Sequence, residues 1–344
     1  MSELKKIKVL VVDDSLVFRE LITRGISADS EIEVVATAVD TFDARDKIID
    51  FNPDVMTCDL HMPKMNGIEF IRRLLPQHPL PVIIISKTSG AVFDALNAGA
   101  VEFLSKPDLT SPQDVEYFIN DLITKIKVAS RSKIARRKLP TGGGKKLAMK
   151  VTENYSDRII AIGSSTGGTK AVYHILRNLP SGMPPILVVQ HIPPVFSRLF
   201  AERLNEQTDF TAKEAENGDP AVPGSVLVAP GDRHMRLEKK NGRYMVSILD
   251  GEKVNGHCPS VDVLFESVAE AAGEKAVGII LTGMGHDGSR GLMLMRRKGA
   301  RTIGQDEQSS IVYGMPKAAF EIGAVEKQVP LDKIPQTILE VLSG

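Results

Sequence analysis

The chain has 344 residues, 42% hydrophobic and 25% charged, enough for two globular domains with separate cores. Lys and Arg number 43 and so do Asp and Glu, so the charge balance gives no reason to expect nucleic acid or an anionic membrane as partner. The apolar runs are too short to span a bilayer, Met1–Lys6 lacks the apolar stretch of a signal peptide, and Cys58 and Cys258 form neither a disulfide framework nor a zinc pattern, so reduced thiols in a cytoplasmic protein are expected. A monomer is expected as well, although none of these features fixes the oligomeric state.

Along the first 125 residues short apolar strands alternate with amphipathic helices. Strands are predicted at Lys8–Val12, Glu33–Ala38, Val55–Cys58, Val82–Ser86 and Val101–Leu104, several of them almost continuously apolar, as strands of a parallel sheet covered on both faces should be. A helix is expected from Ser111, which can cap it, with Pro112 in its first turn and Asp114 complementing the helix dipole. Val115, Phe118, Ile119, Leu122 and Ile126 then recur at helical spacing. Five such units predict a doubly wound α/β domain over residues 5–127. Residues 128–157 differ: Arg131, Lys133, Arg136, Arg137, Lys138, Lys145, Lys146 and Lys150 crowd together, no acid lies between Asp121 and Glu153, and Pro140 and Gly142-Gly143-Gly144 break any helix. This reads as a basic, flexible linker.

The alternation resumes over residues 158–344. Strands are predicted at Ile159–Gly163, Ile186–Gln190, Ser225–Ala229, Ala276–Thr282 and Arg301–Gly304, and helices at Lys170–Asn178, Val195–Asn205, Val261–Ala272 and Leu292–Lys298. Met235–Lys239 and Arg243–Ile248 flank Asn241-Gly242, a β-hairpin signal. The second domain is therefore also α/β, with a hairpin added.

Asp13 and Asp14 follow the first strand and Asp59 the third, at the carboxyl edge where parallel sheets bind ligands. Singly, each is more simply a solvated loop acid. Together they offer hard oxygen ligands suited to Mg²⁺. Ser86 ends the fourth strand and Lys106 follows the fifth, adding a hydroxyl and an ammonium to the same rim. That set suits phosphoryl transfer to Asp59, with Mg²⁺ and Lys106 neutralising the phosphoryl oxygens. Val11-Val12-Asp13-Asp14-Ser15, Asp59-Leu60-His61-Met62-Pro63, Met65-Asn66-Gly67 and Ser105-Lys106-Pro107 resemble the response-regulator receiver family, whose fold is flavodoxin-like. The resemblance implies that Asp59 is the phosphoacceptor, that Asp13, Asp14, Asp59 and the His61 carbonyl hold Mg²⁺, that Ser86 and Phe103 are a switch pair, and that Lys106 contacts the phosphoryl group. Lys87–Leu96 is short for the loop and helix after the fourth strand of that family.

The strand Ile159–Gly163 runs into Gly163-Ser164-Ser165-Thr166-Gly167-Gly168, and Gly163-x-Ser165-x-Gly167 fits a nucleophile elbow. The glycines permit a sharp, strained turn that presents the serine, and the following helix N-terminus favours negative charge. A glycine-rich turn of this kind can also cradle phosphate or simply pack tightly. The P-loop order is wrong, however, because Thr169-Lys170-Ala171 follows Gly168. A serine nucleophile needs a base and an orienting acid. Among His174, His191, His234, His257 and His286, His191 ends a strand at the same sheet edge as Ser165. His174 lies within the next helix, and His286 is poorly placed for its neighbour Asp287 to orient. Asp287, in Gly283-Met284-Gly285-His286-Asp287-Gly288 after another strand, is the best acid. The order Ser165, His191, Asp287 differs from that of α/β-hydrolases and argues for a separate lineage.

Gly163–Gly168, Gln190-His191-Ile192-Pro193, Ala229–His234, Pro259-Ser260-Val261-Asp262-Val263 and Leu281–Gly288 resemble the catalytic domain of the CheB methylesterase family. The resemblance implies a phosphorylation-activated serine carboxylesterase that removes methyl esters from glutamates of chemoreceptors and deamidates receptor glutamines. Ser165 would be the nucleophile, His191 the base, Asp287 the orienting acid and the Met284 N–H an oxyanion donor, with no cofactor in this domain. A histidine kinase would supply the phosphoryl group, and the receiver would cover the entrance to the triad until phosphorylated. Cys258 stands where the family usually has arginine. Two other readings compete: a second domain that binds a nucleotide or phosphorylated ligand through Gly163–Gly168, marked by tight binding without esterase activity, and a DNA-binding output that uses the basic linker. Nothing in residues 158–344 reads as a basic helix-turn-helix, and salt-dependent DNA binding would be needed to support the second.

Overall fold

The computed structural model describes residues 5–63, 65–87, 90–132, 155 and 157–343. The chain divides into two compact units, Met1–Leu139 and Pro140–Gly344. The linker expected over 128–157 lies largely outside the described residues, and its first four positions, through Arg131, are helical.

The first unit alternates strictly: β1 (Ile7–Val12), α1 (Leu16–Ser27), β2 (Ile32–Ala38), α2 (Thr41–Phe51), β3 (Val55–Asp59), α3 (Gly67–Leu74), β4 (Val82–Ser86), α4 (Val92–Ala98), β5 (Glu102–Ser105) and α5 (Pro112–Arg131). The sheet order is β2-β1-β3-β4-β5, with every pairing parallel. This is the doubly wound arrangement expected, and β3 and β4 are buried at every residue, which is why they read as mostly apolar runs. Helix starts follow local chemistry: Ser15, Asp40, Asn66 and Ser111 each accept a hydrogen bond from a first-turn N–H. The α4 helix has only seven residues, in keeping with the short segment noted after the fourth strand.

The second unit runs β6 (Ile159–Ser164), α6 (Gly168–Asn178), β7 (Ile186–Gln190), α7 (Pro194–Gln207), β8 (Thr211–Glu214), β9 (Ser225–Val228), β10 (His234–Lys240), β11 (Arg243–Leu249), α8 (Val261–Ala272), β12 (Ala276–Ile280), α9 (Ser289–Arg297), β13 (Arg301–Gln305), α10 (Met315–Glu321), β14 (Lys327–Val329) and α11 (Ile334–Ser343). Seven strands form a parallel sheet in the order β14-β13-β12-β6-β7-β9-β8. The order reverses at β6: β7, β9 and β8 lie on one side, and β12, β13 and β14 on the other. A parallel sheet opens a crevice at the carboxyl ends beside such a reversal. The hairpin β10–β11 is separate, and its turn places Asn241 at φ +50° and Gly242 at φ +78°, both left-handed, as a type I′ turn requires.

The strands β8 and β14 escape the sequence reading. They are short sheet edges, and Thr-Ala-Lys-Glu and Lys-Gln-Val carry the polar side chains that an edge strand shows to water. No helix is long and apolar enough to cross a membrane among the described residues.

Candidate active site

Strands β6 and β7 pair in register through Ser164 and Gln190, so Ser165 and His191 leave the sheet side by side. Gln190 locks this edge. Its amide oxygen accepts from Ser164 Oγ at 2.7 Å, and its amide nitrogen donates to the carbonyls of Ser165 at 2.8 Å and His191 at 3.1 Å. The His191 N–H donates to the Ser164 carbonyl at 3.1 Å. All of these polar groups are buried or partly buried, so the network defines the loop geometry rather than being exchanged with water.

The turn after Ser165 differs from a strained elbow. Gly167, at the N-cap of α6, takes the left-handed conformation with φ +78°, whereas Ser165 does not have a positive φ. The third strand end, after β12, packs on the serine: a Cβ on Gly283 would lie 2.7 Å from Ser165 Cβ and would also clash with Met315 Sδ. The Ser165 N–H donates to the Thr282 carbonyl at 3.0 Å and is thereby withdrawn from any role toward substrate. Thr282 is itself tied at 2.9 Å to Thr166 O through its hydroxyl and to Gln305 Oε1 through its amide. Met284 follows with 42% of its surface exposed, on a loop anchored by Gly314 and Met315 N–H groups that both donate to Gly283 O.

Asp287 is 1% exposed and accepts five hydrogen bonds. His191 Nε2 lies 2.9 Å from Oδ2, which also accepts from the Val261 N–H at 2.7 Å. Oδ1 accepts from Ser260 Oγ at 2.8 Å, Asn255 Nδ2 at 2.9 Å and the Asp262 N–H at 3.2 Å. Two of these donors are first-turn N–H groups of α8, whose positive end faces the carboxylate. Burial by itself would raise Asp287, but the His191 contact, with Asn255 and Val261, outweighs it and holds the carboxyl below the usual carboxylate range. The remaining His191 nitrogen, Nδ1, is buried and has no hydrogen-bond partner. The His257 ring stacks on His191 at 3.7 Å between centroids and 11° between planes.

The other histidines separate by their surroundings. His234 is buried, with Nε2 at 2.9 Å from Glu252 O and Nδ1 accepting from the Ser260 N–H at 3.2 Å, which makes it a structural strut. His174 is partly buried within α6, where burial lowers its pKa, and His286 is exposed. Sequence reasoning brought Ser165, His191, Met284 and Asp287 to one edge. It assigned no role to Ser164, Gln190 or Thr282, to Ser260 and Asp262 at the start of α8, or to Asn255. The Asn255-Gly256 pair is a turn signal of the same kind as Asn241-Gly242 and could have drawn attention to that loop.

In the first unit Asp13 and Asp59 are buried and Asp14 is exposed, and one carboxylate oxygen from each lies within 4.8 Å of the others. The Lys106 side chain is 6% exposed; its Nζ lies 2.6 Å from both Asp13 Oδ2 and Asp59 Oδ2, and only the contact to Asp59 has hydrogen-bond geometry. Burial would lower the lysine, but the two carboxylates outweigh it and keep its ammonium above the ordinary value. Asp13 is raised, by burial first and by the Asp59 charge in addition, against the pull of Lys106. The His61 N–H donates to Asp59 Oδ1 at 3.1 Å, so the chain turns its next peptide at the rim. Gly67 leaves α3 close to that rim, since a Cβ there would lie 2.5 Å from Asp59 O. Ser86 is fully buried at the end of β4, and the rings of Phe103 and Phe93 are 6.4 Å apart. Cys58, also fully buried, donates its S–H to Asp59 O, and burial pushes its thiol far up, so it is an inert packing residue.

A buried acid–lysine pocket on one parallel sheet and a serine, histidine and aspartate along another have the form of a phosphorylation-type receiver joined to a serine hydrolase. Comparison with known proteins agrees. The CheB methylesterase family model matches residues 160–338, and the response regulator receiver domain model matches residues 9–113. A protein-glutamate methylesterase/protein-glutamine glutaminase from Syntrophomonas wolfei is 56% identical over 347 residues, covering 99% of each chain. One of the same name from Salmonella typhimurium is 43% identical over 345 residues, covering 99% of this chain and 98% of its own. The crystal structure of the Thermotoga maritima CheB methylesterase catalytic domain is 40% identical, with a TM-score of 0.53, and covers 54% of this chain and 99% of that one. The chain belongs to the CheB methylesterase family, with a response-regulator receiver domain ahead of the catalytic domain.

Proposed function

We propose that this chain is a phosphorylation-controlled protein-glutamate methylesterase that hydrolyses glutamate methyl esters on chemoreceptors, deamidates receptor glutamines, and acts in the cytoplasm in chemotaxis adaptation. The carrying observation is the His191 ring. One nitrogen meets the buried, five-fold hydrogen-bonded Asp287, and the other is buried and unpartnered beside the serine loop.

In this reading Ser165 Oγ attacks the γ-carbonyl carbon of the ester and its proton passes to His191 Nδ1. Asp287 keeps the other proton of the ring on Nε2 and stabilises the imidazolium. The Met284 N–H and N–H groups at the start of α6 beyond Ser165 hold the oxyanion, each worth about 3–4 kcal/mol of barrier. Collapse breaks the carbon–oxygen bond, and His191 returns its proton to the leaving oxygen as methanol departs. Water then attacks the acyl-enzyme, gives a proton to His191, and releases the glutamate carboxyl and Ser165. A glutamine side chain follows the same course with ammonia as the leaving group.

In the receiver, Asp59 is the phosphoacceptor and a histidine kinase the donor. Asp13, Asp14, Asp59 and the His61 carbonyl would hold Mg²⁺. The donor set fits, because it is all oxygen, with carboxylate oxygens of the three acids within 4.8 Å of one another. The cation supplies positive charge for the phosphoryl oxygens when bound. Lys106 sits between Asp13 and Asp59, ready to pair with a phosphoryl oxygen, and Ser86 and Phe103 are the residues that would respond.

The test is methanol release from a methylated chemoreceptor cytoplasmic fragment, comparing the full chain with Ser165→Ala in Mg²⁺, with and without a small phosphodonor. Release that needs Ser165 and rises with the phosphodonor is expected. Release that survives Ser165→Ala would refute the nucleophile, and no release from several receptors would refute the substrate.

A further inference from the structure

The loop between β11 and α8 closes on the acid of the triad. Val254 and His257 exchange backbone hydrogen bonds of 2.9 and 3.0 Å, and the two residues between them, Asn255 and Gly256, take φ of +53° and +81°. A tight turn with two left-handed residues suits Asn-Gly. The Asn255 side chain, however, does not merely tolerate the turn. Its Nδ2 donates to Asp287 Oδ1 at 2.9 Å and to Asp262 Oδ2 at 2.8 Å. An amide NH₂ carries two hydrogens, and both go to carboxylates.

These carboxylates are 1% and 2% exposed, and Asp262 feels the charge of Asp287. Asp262 is raised by burial first, and the Asp287 charge adds to it, while the Gly291 N–H and Asn255 pull the other way. Like charges confined out of water need a donor between them or one must take a proton. The same four-residue turn sets the His257 ring flat against His191.

We propose that Asn255 is a positioning residue of the hydrolase: its NH₂ group fixes Asp287 for His191 and separates that carboxylate from Asp262. This rests on the reading of Ser165, His191 and Asp287 as the triad. The residue type follows from the task. Glycine would fit the backbone but supply no donor, glutamine would overreach, and aspartate would add a third acid to the pair. Asn255 touches no reacting atom in this arrangement and acts through Asp287.

The experiment uses the full chain and the methylated receptor fragment, with kcat and KM measured separately for Asn255→Gly, Asn255→Asp, Asp262→Asn and the Asn255→Gly/Asp262→Asn double variant. Glycine keeps the left-handed turn, and aspartate keeps the shape of the side chain, so one of them reports even where the other folds poorly. Asn255→Gly should lower kcat roughly 10- to 100-fold with KM little changed, since a hydrogen bond to a charged, buried group is lost and the base shifts. Asn255→Asp should lower it further. In the Asp262→Asn background the loss from Asn255→Gly should shrink at least about three-fold, because the charge that Asn255 screens is gone. An unchanged kcat, a change confined to KM, or an equal loss in both backgrounds would overturn the proposal. Ser165→Ala and Asp287→Ala, run in parallel, separate this from failure of the triad reading: if those two retain turnover, the triad itself is wrong.

Discussion

Asp287→Asn tests the hydrogen-bond logic of the site most sharply. An amide oxygen in the place of Oδ1 keeps the donors Ser260 Oγ, Asn255 Nδ2 and the Asp262 N–H. The NH₂ then replaces Oδ2, where it meets the Val261 N–H at 2.7 Å and His191 Nε2 at 2.9 Å. Donor faces donor at Val261, at a cost of about 1–3 kcal/mol. At His191 the amide can only donate, so Nε2 must accept and the ring proton moves to Nδ1, the nitrogen that has to receive the Ser165 proton. Flipping the amide instead sets its NH₂ against the Asn255 NH₂ and the Asp262 N–H, two donors that cannot turn to accept, whereas the Ser260 hydroxyl can; this is worse than the single clash at Val261. Loss of the correct tautomer lowers turnover about 10⁴-fold in triads of this kind, near 5 kcal/mol of barrier. The assay is methanol release at saturating receptor, together with a thermal melt to separate lost chemistry from lost fold. A variant that keeps more than about a tenth of wild-type kcat would refute the assignment, since the tautomer argument leaves no such remainder.

Gly283→Ala should lower both kcat and melting temperature, because the new Cβ would lie 2.7 Å from Ser165 Cβ and would crowd the buried Met315 Sδ, forcing the serine or the Met284 loop aside; unchanged kinetics and melting would show that the loop yields freely. Asp287 also makes stability depend on pH. Its folded pKa is depressed, so its contribution is present above the ordinary carboxylate value and lost as pH falls through the folded value. The stability gap between wild type and Asp287→Asn, from urea melts, should therefore hold from about pH 7 to pH 5 and narrow below about pH 4. A gap that does not narrow would contradict the depressed value. In the receiver, Asp59→Asn or chelation of Mg²⁺ should abolish phosphodonor-stimulated methanol release and leave the basal rate. Stimulation that persists in either case would remove Asp59 or the cation from the pathway.

Much of the fold is legible in the sequence because strands buried on both faces must be apolar throughout. The strands β3, β4, β6, β7 and β12 are buried at every position, and each was visible as a run. The proposed site residues Ser165, His191 and Asp287 could be picked out for a related reason: each stands in a loop at the carboxyl end of such a run. By contrast β8 and β14 lie at the sheet edges, and four and three residues with mixed exposure are too short a run to carry a periodic signal. Asn255 sits in a turn whose composition explains itself locally, so nothing in its spacing points 32 residues ahead to Asp287.

The sequence by itself determined the two α/β units, their strand runs and the chemistry available at each strand end, because hydrophobic period and turn residues act between near neighbours in the chain. Only the tertiary structure decided which nitrogen of His191 meets the acid, that the Ser165 N–H is spent on Thr282, and that Asn255, Ser260 and two N–H groups of α8 converge on one carboxylate. The physical reason is that buried polar groups are paired by packing. Partners brought together across 25 to 32 residues satisfy one another in space, and no local pattern records which donor reaches which oxygen.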